Sequence, residues 1–511
     1  MSVELVAAPA RYPRGPLLAL LVVAIIPAVG LYLLHRWSDD VADEHDAVEE
    51  RTIEYESAYT EAELDRPPAP QLETGLLDVR RAPAAIVEAA NTEQLSVDMQ
   101  NLYAFVGPDS CVALSVDGRP VDGANTATPA IPGSTEKLLV AAVALEVLGA
   151  DHRYTTSVIG PPVVDGRIDG DVYLVGGGDP VLVSEDFPND EDEYPPFATT
   201  SLDELADRFV ASGVEFIDGA VVGDGSRYDD EWFVEGWADD VPVVEAGPYD
   251  ALMVNDSRRL YSSQVQDDPN LAAAVEFVRL LNERGVIVNF GWDAGSLAAD
   301  DAERNADDPP PAREALAAIE SAPLGEIVGE MNVNSDDNTA ELLLKEIGFV
   351  VDGEGSRTTG LNVVDRTLRD WGVPMEGVRI LDGSGLHASN RLTCDALLAV
   401  LQRGRSLGLP ATLAVAGESG TLSDEFLDTE MEGRMRAKSG TLGNPPVEEP
   451  PPAAKALAGY VDVPTGEMIE FVMLLNTPDI SFDDNYEPMW LALANRLATY
   501  PAGPTVEEIS P

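Results

Sequence analysis

The 511-residue sequence predicts a mixed α/β (α+β) fold in which an antiparallel sheet is covered by helices and interrupted by an inserted middle. Three observations predict it. Strand-like segments Arg434 to Leu442, Ala456 to Val463 and Met468 to Asn476 follow closely on one another, a spacing that suits antiparallel neighbours. Helical segments flank them at Asn338 to Ile347, Val363 to Trp371, Thr393 to Arg403 and near Met489 to Tyr500. Ser134 to Leu148, ended by Gly149, is apolar on nearly every face after its first turn, as a helix in the centre of a domain is.

Residues 16–34 carry no charge and are long enough to span a bilayer as a helix. Arg11 and Arg14 precede them and an acidic stretch follows, so the positive-inside bias leaves residues 1–15 in the cytoplasm and the remainder outside. The expected location is therefore the cell membrane, single-pass, with the soluble part extracytoplasmic. Ala28-Val29-Gly30 offers a cleavage site to the alternative, a secretory signal, and either reading exports the chain. Residues 35–94 read as an acidic, self-repelling tether: Ser38 to Asp65 contains twelve Asp/Glu and one base, Arg51, and Arg66-Pro67-Pro68-Ala69-Pro70 follows.

A net charge of −59 excludes nucleic acid and anionic lipid surfaces as partners of the soluble part, because both would be repelled. Four histidines without a Cys/His spacing pattern give no zinc-type site, and no cofactor is expected. Cys111 and Cys394 are the only cysteines; outside the cell they are free to pair, and two separate buried thiols fit the sequence equally well. Cys111 to Gly118 reads as a strand ending in an Asp-Gly turn. Residues 161–324 alternate strands (Asp171 to Val175, Ile217 to Val222) with helices (Ser201 to Ser212, Leu271 to Arg284) and acidic or proline-rich loops. They read as one or more inserted domains, leaving 95–160 plus 325–511 as the main domain.

The chain has only four lysines, and two of them sit in motifs that serine acyl transfer requires. Arginine does not give up its proton near neutral pH, whereas a buried lysine amine is tunable as a base. In Ser134-Thr135-Glu136-Lys137 the hydroxyl and the amine lie one helical turn apart on one face, which makes Lys137 a candidate base for a Ser134 nucleophile. In isolation the pair also reads as a helix cap followed by a solvated lysine, but Lys137 opens an otherwise apolar helix. Lys438-Ser439-Gly440-Thr441 lies in a strand whose edge is suited to aligning a peptide, glycine permitting close approach while the lysine and hydroxyls hold a carboxylate. A protected edge strand is the bland reading of the same residues. Ser335-Asp336-Asp337, ahead of an amphipathic helix, is the third element; the Ser-Asp-Asn triplet that accompanies the other two motifs has its asparagine one place later, at Asn338. A Ser-His-Asp site at Ser384 and His387 is disfavoured, since that serine lacks a nucleophile elbow.

From about residue 95 to 500 the chain resembles the exported D-alanyl-D-alanine carboxypeptidase/endopeptidase family of penicillin-binding proteins, the low-molecular-mass class C. The resemblance rests on Pro132 to Lys137, Val175-Gly-Gly-Gly-Asp-Pro180, Met331 to Leu342, Leu381-Asp-Gly-Ser-Gly-Leu386, Ala416 to Leu422, and Ala437 to Thr441 leading to Leu457-Ala-Gly-Tyr460. It implies a penicillin-binding-protein/β-lactamase-like transpeptidase domain with inserted smaller domains, acting on peptidoglycan stem peptides and inhibited by β-lactams. It also implies that Ser134 attacks the penultimate D-alanine carbonyl with Lys137 as base. Ser335 and Lys438 would pass the proton to the leaving amine, the N–H groups of Ser134 and Thr441 would form the oxyanion hole, and Ser439, Gly440 and Thr441 would hold the substrate. Asp337 departs from the pattern by removing an amide donor and adding charge near both lysines; a one-residue shift would instead bring Asn338 into use. Two alternatives stay open: a non-catalytic peptidoglycan-binding or scaffold homologue, and a β-lactamase-like hydrolase.

Overall fold

The computed structural model describes residues 83–187, 195–238, 241, 245–258, 265–303, 312–443 and 451–509. The anchor expected at 16–34, the tether as far as residue 82 and residues 444–450, which follow the Lys438 motif, lie outside the described residues. Among the described residues no helix is long and apolar enough to cross a membrane.

The chain enters through α1 (Pro83–Tyr103), so residues 83–94 belong to a helix and not to the tether expected up to residue 94. Leu95, Met99 and Leu102 recur at the spacing of one helix face and are buried, so the second half of α1 anchors the helix, while among residues 84–94 only Asn91 is buried. Next come β1 (Cys111–Val116), β2 (Arg119–Ala124), a 3₁₀ turn over Gly133–Glu136 and α2 (Lys137–Val147). Leu138 to Ala144 are all at most 1% exposed, as an all-round apolar helix demands.

The inserted sequence begins with β3 (Thr155–Gly160), then β4 (Val172–Val175), α3 (Leu202–Val210), β5 (Val221–Asp224), α4 (Pro269–Glu283), β6 (Trp292–Ala294) and β7 (Glu314–Glu320). Its strands form a mixed sheet in the order β6-β5-β4-β3-β7. β3 carries the chain out and β7 brings it back, paired antiparallel from Thr155↔Glu320 to Gly160↔Glu314. The insertion thus runs from about 155 to 320, wider at its start than the 161–324 read from sequence. The strand expected at Ile217 to Val222 is two strands in two sheets, Phe216–Ile217 and Val221–Asp224. The insertion has a core of its own around Phe209, Phe277 and Leu281, and Tyr228, Val234, Trp237 and Tyr249 share a further core with Leu342 and Leu386.

The chain then returns through α5 (Leu324–Asn334), α6 (Asp337–Asp352), α7 (Arg357–Asp370), α8 (Cys394–Gly404), β8 (Ala414–Val415), β9 (Met435–Leu442), β10 (Ala454–Asp462), β11 (Met468–Asn476) and α9 (Asp483–Leu497). The main sheet, β8-β9-β10-β11-β1-β2, is antiparallel throughout, as expected. One face packs on α2 and its neighbours through Ala456, Ala458, Tyr460 and Leu474. The other packs on α1 and α9 through Leu457, Val461, Phe471, Met99 and Trp490. This alternation along β10 is what a strand buried on both faces requires. Cys111 on β1 and Cys394 at the start of α8 form a disulfide, with Cα atoms 6.0 Å apart.

Candidate active site

Ser134 lies in the 3₁₀ turn and Lys137 is the first residue of α2, so the first turn is tighter than the plain helix expected. In a 3₁₀ turn residues i and i+3 eclipse, which stacks the two side chains. Lys137 Nζ donates to Ser134 Oγ at 3.0 Å, to Asp337 Oδ1 at 2.6 Å and to the Ser384 carbonyl oxygen at 2.8 Å. The amine is fully buried, and these three acceptors match the three N–H bonds of an ammonium.

The second element sits at a junction of helices. Ser335 closes α5 in the left-handed conformation, φ 65°. Asp336 caps α6 by accepting from the Thr339 N–H at 2.7 Å, which makes Asp337 the first residue of that helix. Its carboxylate therefore lies at a helix N-terminus, where the dipole favours negative charge. Of the two residues left open, Asp337 is the one on Lys137, and the Asn338 amide is turned to the Asp256 carboxylate of the inserted sequence. The reason is the cap, which fixes the helical phase and leaves no slack for a one-residue shift.

The third element is β9. Lys438, also fully buried, donates to Ser335 Oγ at 2.8 Å and to the Ser439 carbonyl at 2.9 Å. Ser439 Oγ donates to Thr421 Oγ1 at 2.9 Å, and Thr441 is exposed. Gly440 is required by close approach, since a Cβ there would stand 2.8 Å from the Pro132 oxygen and 3.0 Å from the nitrogens of Ser134 and Thr135. β8 pairs with β9 only at Arg436 and Ala437, so among the described residues no strand covers that edge from Lys438 to Leu442. The edge opens on a cleft of about 1130 Å³, lined among others by Ser134, Ser335, Asp337, Asn338, Gly440 and Thr441. All nine residues singled out in the three motifs thus meet in one place, with Asn338 in the wall.

Burial, then the charge of Lys137, holds Lys438 well below the ordinary lysine range against the pull of Asp337. Burial raises Asp337, and Lys137 opposes the rise. Beneath the site, Glu341 is pushed up to about 8 by burial and by Asp382, and Glu136 is raised by burial and by the same neighbours. Sequence reasoning did not assign roles to Ser384, Thr421 and Asp256. The first two lie within quoted motifs, Leu381 to Leu386 and Ala416 to Leu422, but nothing local marks the Ser384 carbonyl as a lysine acceptor. Asp256 has no sequence signal.

Ser134, Lys137 and Lys438 thus converge at the open edge of an antiparallel sheet held between helical layers. Residues 111–280 and 268–495 match the D-Ala-D-Ala carboxypeptidase 3 (S13) family, and the chain belongs to that family and is a carboxypeptidase. It is similar to an Actinomadura D-alanyl-D-alanine carboxypeptidase, 31% identical over 411 residues, 66% of this chain and 72% of that protein. A Mycobacterium tuberculosis carboxypeptidase is 29% identical over 360 residues, 68% of this chain and 71% of its own. The fold is also that of Haemophilus influenzae penicillin binding protein 4, TM-score 0.62 at 19% identity, covering 80% of this chain and all of that one.

Proposed function

We propose that this chain cleaves the terminal D-alanine from peptidoglycan stem peptides, and hydrolyses their cross-links, through an acyl-enzyme on Ser134, and that β-lactams acylate the same serine. The observation that carries this is the contact between Lys137 Nζ and Ser134 Oγ, 3.0 Å, at the open edge of β9. The substrate pairs with that edge as an added strand, which sets its carbonyl against Ser134. Lys137, once it has given up a proton, takes the Ser134 proton as the alkoxide attacks. The N–H groups of Ser134 and Thr441, from segments brought together at Gly440, stabilise the oxyanion. Lys438 and Ser335, 2.8 Å apart, deliver the proton to the leaving amine; water then hydrolyses the acyl-enzyme. No step calls for a diffusible cofactor. Residues 16–34 hold the domain at the outer face of the cell membrane, a reading supported by their apolar run and by Arg11 and Arg14.

Fluorescent penicillin with the purified protein tests the reading. A stable label abolished by Ser134→Ala, with D-alanine released from a stem peptide, supports the peptidase. Rapid turnover of the drug points to a β-lactamase-like hydrolase, and absence of any label points to a peptidoglycan-binding or scaffold homologue.

A further inference from the structure

Three of the four lysines, Lys137, Lys345 and Lys438, are fully buried, and Lys345 is tied to Asp229 at 2.7 Å. The fourth, Lys455, is half-buried on β10 and lines the cleft. It stands directly opposite Thr441 in the β9–β10 ladder. Directly paired residues of an antiparallel ladder project to the same face with Cβ atoms about 4.5–5.5 Å apart. Ser439, two residues back along β9, points the same way. The hydroxyls of Ser439 and Thr441 and the amine of Lys455 therefore share one face at one end of the cleft.

The amine is held in place from behind. Nζ lies 3.8 Å from the ring centroid of Tyr486 and 5.1 Å from that of Trp490, both on α9, a cation–π seat that orients it without consuming its N–H bonds. Its acidic neighbours are Glu425, Asp483 and Glu487. Among the described residues none of them forms an ion pair with it, and the Glu425 carboxylate instead accepts from the Tyr486 hydroxyl at 2.9 Å. A positioned cation with no ion pair among the described residues, beside two hydroxyls that line the same cleft, is a site for an anion. In a chain of net charge −59 it also offsets the long-range repulsion that an anionic peptide end meets.

We infer that Lys455 is the counter-ion of the substrate's C-terminal carboxylate, acting with Ser439 and Thr441 to select peptides that end in a free acid. This rests on the proposed acyl transfer at Ser134. It makes Lys455 the residue that favours trimming of free peptide ends over cutting where no such carboxylate is present.

The test uses the full-length protein and two D-alanyl thioesters that differ only in the leaving group, one ending in a free carboxylate and the other in its methyl ester. Lys455→Met is expected to lower kcat/KM for the free acid by about tenfold or more, the worth of one charge-assisted hydrogen bond, and to leave the methyl ester within about twofold. Lys455→Arg is expected to recover most of the selectivity, because a guanidinium keeps both the charge and the aromatic stacking. Equal losses on both thioesters would assign Lys455 a structural role and overturn the inference, as would no loss on either. A wild-type protein that turns over neither thioester and takes no penicillin at Ser134 would overturn the proposed function, and this inference with it.

Discussion

Lys137 Nζ and Asp337 Oδ1 lie 2.6 Å apart, a buried ion pair at the base of the nucleophile that joins residues 200 positions apart in the chain. An asparagine there would offer a neutral carbonyl and an amide donor. The aspartate offers an anion, whose ion pair ties up the Lys137 amine that proton abstraction from Ser134 requires.

Asp337→Asn, which replaces that anion with a neutral amide, is therefore expected to speed acylation of Ser134 at neutral pH by about tenfold, equivalent to about 1.4 kcal/mol in the barrier. Time courses of fluorescent penicillin labelling measure it. A slower label would make the aspartate the working residue of this site.

Ser335→Ala removes the hydroxyl that accepts from Lys438 at 2.8 Å and leaves that buried amine with the Ser439 carbonyl. If the pair carries the proton to the leaving group, peptide hydrolysis falls by about 10²-fold, the low end for general acid catalysis. Steady-state release of D-alanine, with the melting temperature as control, checks this. An unchanged rate would place proton delivery elsewhere.

Gly440→Ala puts a methyl group 2.8 Å from the Pro132 oxygen and 3.0 Å from the Ser134 nitrogen. The two oxyanion-hole segments must then move apart, and misplacement by about 1 Å costs about 10²-fold in rate. The expected result is a folded protein, by circular dichroism, that labels with penicillin at about one-hundredth of the wild-type rate. Wild-type labelling would show that Gly440 is not needed for the approach of β9 to the nucleophile turn.

Stability is expected to fall as pH rises from 5 to 9. Glu341 has a folded pKa of about 8, above its ordinary 4.5, so the native state binds a proton that the unfolded chain has already released. That contribution is fully present below the ordinary value and is lost as pH rises through about 8; Glu136 acts in the same direction. Glu341→Gln keeps an acceptor for the Gly383 and Ser384 N–H groups at 2.9 and 2.8 Å and does not titrate. Melting curves in 0.5 M salt, chosen to screen the net charge, should therefore decline less steeply with pH in the variant than in the wild type. Identical slopes would clear Glu341 of the effect.

Much of this was legible locally. Ser134 and Lys137 needed only the i, i+3 geometry of one turn, and the helix after them needed only its run of apolar residues. The strands bearing Lys438 and Lys455 showed as strand-like segments whose limits the structure moves by one or two residues. The start of α1 was hidden because the residues that anchor the helix, Leu95, Met99 and Leu102, lie beyond it and pack in one core with α9 and the main sheet.

By itself the sequence pointed to the family, set Ser134, Lys137 and Lys438 in their motifs and predicted the antiparallel sheet, because each shows in side-chain type at short spacing. Only the tertiary structure decided which of Asp337 and Asn338 meets Lys137, that Cys111 and Cys394 pair, and that Asp256 from the insertion reaches the site. Those outcomes depend on distances between segments remote in the chain. They are set by how the helices and sheet pack, which no local pattern of residues encodes.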